Sequence, residues 1–277
     1  MANRAFAPLS AERKQAFAVE TWRYLRIALV VLVVGLVVAV GYQLFHSECK
    51  CFLTSISAYY YAPVHAYFVG ALVSIGVCLF CLKGSSEGED VLLDVAGMLA
   101  PVVALVPTPD EDASAAVLFT TKDITASVTN NITALLAVGA IGLIVAAVLH
   151  RRDRPLLALI GYAVAVALFV TTLLWLVIDR PSFVHDAHFI AASLMFTCIS
   201  GVVWVNAIGY RSKKGAPPVR NPYFPIAVAM VASVVAMLIA ERAGWDYWLL
   251  GLEFALIGLF ALFWLIQTVE LWDEGLR

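Results

Sequence analysis

Histidine is the side chain best suited to bind a metal or move a proton near neutral pH, and the sequence has five. Two of them stand three apart in His185-Asp186-Ala187-His188. On a helix such residues are neighbours on one face, with Cβ atoms ~5–6 Å apart, so both reach one ion. His65 opens another apolar stretch and is the expected third ligand. Three protein ligands with an open water position make the catalytic zinc arrangement, whose bound water has a pKa near ~7. The expected site is therefore a zinc ion on His65, His185 and His188. Asp186 is placed as base or as a partner of a ligand. Ser57 is the candidate nucleophile if the segment 54–61 folds over an outer cavity with Ser55 and Ser57 facing in. The plainer reading of these histidines is polar residues where a span meets water.

Other polar groups are sparse. Glu253 is the deepest carboxylate, while Asp94, Asn206, Gln267 and Glu270 fall nearer span ends. They form no chain of the kind a proton relay needs, and a helix-helix hydrogen bond worth about 0.6 kcal/mol accounts for each one singly. Glu253 is the exception that keeps a transport role open. Tyr59-Tyr60-Tyr61 reads first as an interfacial aromatic belt. Cys49 and Cys51 lie one residue apart, poor geometry for a mutual disulfide. Cys78, Cys81 and Cys198 read as small apolar residues within spans.

These residues must be held by elements suited to lipid. Hydrophobic residues make up 62% of the 277 and charged residues only 14%, against about 45–50% and 25% in soluble proteins. Mean hydropathy is +0.89. A soluble domain of this size cannot hide that much apolar surface. A cytosolic enzyme, a secreted disulfide scaffold and a nucleic-acid binder are excluded; the net charge of −2 offers no basic face for phosphates. The fold class is all-α, a single polytopic transmembrane bundle. Eight stretches of spanning length lie at roughly 22–45, 63–82, 91–107, 131–150, 155–178, 187–210, 223–240 and 247–271. The third is shortest and holds Pro101, where a kink is expected; a re-entrant third segment would leave seven spans. With eight spans, 14 of the 18 Lys and Arg residues fall on one side. The other side has Lys50, Lys122, Arg180 and Arg242. Both termini are therefore expected in the cytoplasm of a cell with this chain in its inner membrane. The bilayer is the one expected partner. Gly70-x-x-x-Ser74, Gly251-x-x-x-Ala255 and Gly139/Gly142 are candidate close-packing positions.

Three stretches carry a resemblance: Ser55-Ile56-Ser57-Ala58-Tyr59-Tyr60 with Phe68-Val69-Gly70, His188-Phe189-Ile190-Ala191-Ala192, and Phe263-Trp264-Leu265-Ile266-Gln267-Thr268-Val269-Glu270. Together they resemble uncharacterised bacterial multi-pass membrane proteins. A looser likeness is to the superfamily of alkaline ceramidases and adiponectin-receptor-type hydrolases. That likeness implies a zinc amidase site, with Ser57 and His65 standing for its early pair and His185 with His188 for its late pair. The late pair here is three apart rather than four, and Asp94, the candidate carboxylate, falls toward the opposite face.

Three functions remain open on the sequence. The first is a metal-dependent hydrolase acting on a lipid or lipid-linked substrate at the outer face. The second is a small-solute transporter or channel, the third a non-catalytic membrane subunit or scaffold. Metal content, or an enclosed path through the bundle, separates the first two.

Overall fold

The computed structural model describes residues 11–46, 52–109, 121–149, 155–214 and 221–272. Cys49, Cys51, the run Asp110-Glu111-Asp112, His150 with its neighbouring arginines, and the linker residues Gly215, Pro217 and Pro218 lie outside them.

Each apolar stretch forms one α-helix. They are α1 (Ala11–His46), α2 (His65–Cys81), α3 (Glu87–Leu105), α4 (Thr121–Val148), α5 (Leu156–Ile178), α6 (Arg180–Lys214), α7 (Tyr223–Arg242) and α8 (Trp248–Glu270), with one 3-10 turn at Ser57–Tyr61. The described residues are otherwise loops and turns, as expected where lipid forces backbone groups to pair within their own segment. Six of these helices, all but α2 and α3, are long and apolar enough to cross a membrane. That corrects the uniform count of eight: α2 has 17 residues, and α3 carries Glu87, Glu89 and Asp90 in its first turn.

The reason lies in their position. The most extensive helix pairings are α2 with α3 and α3 with α6. Ala96, Ala100 and Ala104 of α3 are almost fully buried. Screened from lipid by other helices, α3 tolerates an acidic first turn, whereas α2 is apolar and falls short only in length. At the other extreme, α5 buries only Leu176; α4 and α5 turn long rows of Leu, Ile and Val outward. These faces suit acyl chains, not water.

The α2–α3 crossing is set by two glycines that the small-residue motifs did not include. A Cβ on Gly97 would lie 2.7 Å from the Gly76 carbonyl oxygen, and one on Gly76 would lie 2.8 Å from that of Gly97. Gly70 and Gly142, flagged by the motifs, face open space. Pro101 does not end α3, which continues to Leu105. Its ring packs beside Gly76, where the missing side chain leaves room. Gly244, at φ 78°, ends α7 in the left-handed conformation that glycine adopts at helix C-termini.

Candidate functional site

The site is built at the end of the bundle where the α1–α2 connection meets the start of α8. The backbone N–H of Leu250 donates to the Thr54 carbonyl at 3.0 Å, tying this connection to α8. One turn further along α8, Glu253 reaches under the 3-10 turn. Its carboxylate accepts from the Ile56 backbone N–H and from the Ser57 hydroxyl, the latter at 2.7 Å. Ser55 instead accepts from the Ala58 N–H at 3.0 Å and holds the turn together from within. Tyr61 anchors the turn's far end by donating to the Thr108 carbonyl at 2.6 Å.

The three tyrosines are buried rather than arrayed in a belt, with Tyr59 only 2% exposed. Burial pushes the Tyr59 and Tyr60 phenols above their ordinary value, with hydrogen bonds opposing the shift. The belt expectation fails because three consecutive residues of a 3-10 turn, each advanced by about 120°, pack inward between α1, α2 and α8 with Leu36, Val40, Phe68 and Leu250. The alternative, a segment covering a cavity, fits better. A cavity of about 660 Å³, its open mouth included, lies directly beneath the turn. Leu36 of α1, Leu72 of α2, Val103 of α3, Ile199 of α6 and Ile257 of α8 are among its walls. Ser57 and Glu253 are its only lining residues with polar side chains that hydrogen-bond strongly.

Each of the three histidines of the expected metal site engages a neighbour through Nδ1. His65 begins α2, donates from Nδ1 to the Tyr60 carbonyl at 2.7 Å and packs edge-on against the Tyr60 ring. His185 is exposed and lies 2.6 Å from Asp186 through Nδ1. His188 is 2% exposed and donates from Nδ1 to the Val106 carbonyl at 2.6 Å, joining α6 to the end of α3. Asp186 also accepts from Ser182 one turn earlier at 3.2 Å. Among the described residues no three His, Cys, Asp or Glu side chains come together as a metal site. Of the expected catalytic pair, Ser57 lines the cavity and Asp186 does not. Cys78 is buried, whereas Cys81 is exposed rather than a core residue.

A second polar cluster lies at the opposite end of the bundle. Glu89, 1% exposed, accepts from the Ser85 hydroxyl at 2.7 Å and from Asn206 of α6 at 2.8 Å. Asn206 in turn accepts from Gln267 of α8 at 2.7 Å. Ser86 caps α3 by accepting from the Glu89 N–H at 3.2 Å. The Ser86-x-x-Glu89 spacing is that of a capping box, though the Glu89 side chain reaches back to the N–H of Ser85, at 2.8 Å, rather than to that of Ser86. Beside this cluster Arg26, counted from sequence among the tail cations, is 3% exposed and lies 3.6 Å over the Trp22 ring. The Trp264 ring also lies near it, at 5.1 Å.

No family model matches the chain, and no curated protein or solved structure is significantly similar to it.

Proposed function

We propose that this chain is an inner-membrane protein of the transporter or channel class. In this reading it takes a small, largely apolar molecule into the cavity between α1, α2, α3, α6 and α8. One observation carries the reading: an apolar cavity covered by a short turn and ending on the Glu253 carboxylate, which holds that turn. A carboxylate costs free energy beside apolar walls and is a functional-site candidate by default within a membrane segment. Eight crossings and cytoplasmic termini belong to the same proposal, on the 14-to-4 partition of basic residues.

The test is photolabelling of purified protein in nanodiscs by azioctanol, a photoactivatable eight-carbon alcohol, with adducts mapped by peptide. Adducts on cavity residues such as Val103 and Ile257 are expected, together with lipid-facing adducts on α4 and α5. Ala192→Phe, which fills the cavity, removes the first set and leaves the second. Labelling confined to α4 and α5 in both proteins overturns the reading.

The Ser57–Glu253 contact favours a second reading, a hydrolase at the outer face, because the serine hydroxyl has a carboxylate positioned to accept its proton. That reading requires an alkyl fluorophosphonate to label Ser57 in the wild type and not in Ser57→Ala. An unlabelled Ser57 removes it.

A further inference from the structure

We infer that the molecule taken by the cavity is a lipophilic cation, an alkylammonium with its charged head at Glu253 and its chain among the apolar walls. This rests on the cavity being a binding site and adds its selectivity. The donors that Glu253 meets are neutral, the Ile56 and Ser57 backbone N–H groups and the Ser57 hydroxyl. Among the described residues no ion pair reaches it. Neutral donors bring no opposite charge to a carboxylate, so in an apolar setting the group is neutralised either by a proton or by a bound cation, and a fixed ammonium supplies the second. An anionic ligand would be repelled, and a neutral one would leave the charge as it is.

The walls are the second, independent observation. Three phenylalanines, Phe68 of α2, Phe196 of α6 and Phe260 of α8, line the same cavity. Aromatic rings attract ammonium groups through their quadrupole, most strongly where water is scarce. The remaining lining residues are aliphatic, alanine or methionine apart from Ser57, and suit an unbranched chain rather than a polar body. The head also competes for the carboxylate that the 3-10 turn uses. Cation binding and loosening of the turn over the cavity are thereby coupled through the same two oxygens.

The experiment is equilibrium dialysis of full-length protein in phosphatidylcholine nanodiscs against radiolabelled octyltrimethylammonium, 1-octanol and octanoate, with empty discs as blank. The cation is expected to bind roughly tenfold or more tightly than octanol, and octanoate not above the blank. Glu253→Gln should weaken the cation by roughly tenfold more than it weakens octanol. Because Glu253 also holds the turn, Phe196→Leu serves as a second variant with the carboxylate intact; it should weaken the cation severalfold more than it weakens octanol. Octanol binding as tightly as the cation, with both variants unchanged, overturns this inference and leaves the cavity reading standing. Failure of cation and octanol alike to exceed the blank overturns both.

Discussion

Replacing Glu253 by Ala removes the acceptor from its donors at once, the Ile56 N–H and the Ser57 hydroxyl among them. Hydrogen bonds to a charged group contribute more than neutral ones, and a donor left unmade is costly, so a loss of about 2–3 kcal/mol is expected. Glu253→Gln keeps the shape and one acceptor oxygen and should lose less. Thermal unfolding in detergent orders the two variants; equal losses would mean that the carboxylate's bonds to the turn contribute little. Tyr59 gives a pH test at the same place. An acid whose pKa is raised by burial is stabilised as its neutral form, so its contribution is intact below the ordinary phenol value of 10.0. It is lost as pH rises through the higher value of the folded state. Stability should therefore fall above about pH 10, and Tyr59→Phe should blunt that fall; an unaltered alkaline limb would place its origin elsewhere. The residue types of this site were legible in the sequence: Glu253 stood out by depth and Ser57 by a segment able to cover a cavity. That they meet was not, since 196 positions separate them and only the packing of α8 against the α1–α2 connection brings them together. The histidines show the converse. Their spacing admitted a shared ion, but spacing alone does not say which helix face is turned outward, and His185 and His188 differ in that respect.

At the scale of elements, Gly76 and Gly97 decide how closely α2 and α3 approach. A side chain at Gly97 would meet the Gly76 carbonyl oxygen at 2.7 Å and the Phe80 amide nitrogen at 2.8 Å, both backbone atoms that cannot rotate aside. Gly97→Leu should force the helices apart and cost roughly 1–3 kcal/mol or more. Gly70→Ala and Gly142→Ala meet nothing within 4 Å and should be neutral or stabilising by up to about 1 kcal/mol, as alanine favours helix. Unfolding temperatures of the three variants check this, and a Gly97→Leu protein as stable as the parent would show that the crossing is looser than drawn. All eight helices were legible in hydropathy, because a segment exposed to lipid must be apolar along its length. The order of packing was not. The motif Gly-x-x-x-small marks any close approach, whereas the pair that matters here lies on two different helices with no shared motif. Nor did hydropathy distinguish the innermost helices, α2 and α3, from spans that face lipid, except through their shortness and acidic first turn.

For the whole molecule, the question is whether the α2–α3 hairpin crosses the bilayer or stays within it. At one end, α2 starts at His65 beside the 3-10 turn, level with the beginning of α8. At the other, α3 starts with Glu89 hydrogen-bonded to Asn206, which is joined to Gln267 near the end of α8. Between Glu253 and Gln267, α8 climbs about 21 Å at 1.5 Å per residue. The hairpin therefore accompanies α8 through most of a ~30 Å hydrocarbon core, and its turn sits at the same level as the last residues of α6 and α8. The proposal of eight crossings takes this hairpin to traverse the bilayer, with its turn on the side of the termini; six helices meet the length and hydropathy of a span without it. The positive-inside partition agrees, since it groups Lys83 with the N-terminal arginines. In a cysteine-free background, Glu87→Cys should react with a membrane-impermeant maleimide only from the cytoplasmic side. Asp246→Cys, in the exposed turn between α7 and α8, should react only from outside. Glu87→Cys shielded from both sides, with Asp246→Cys labelled as expected, would place the hairpin inside the bilayer and leave six crossings. Labelling of Asp246→Cys from the cytoplasm would reverse the orientation and put the mouth of the Glu253 cavity on the inner face, where a cation held there would be taken from the cytoplasm rather than from outside.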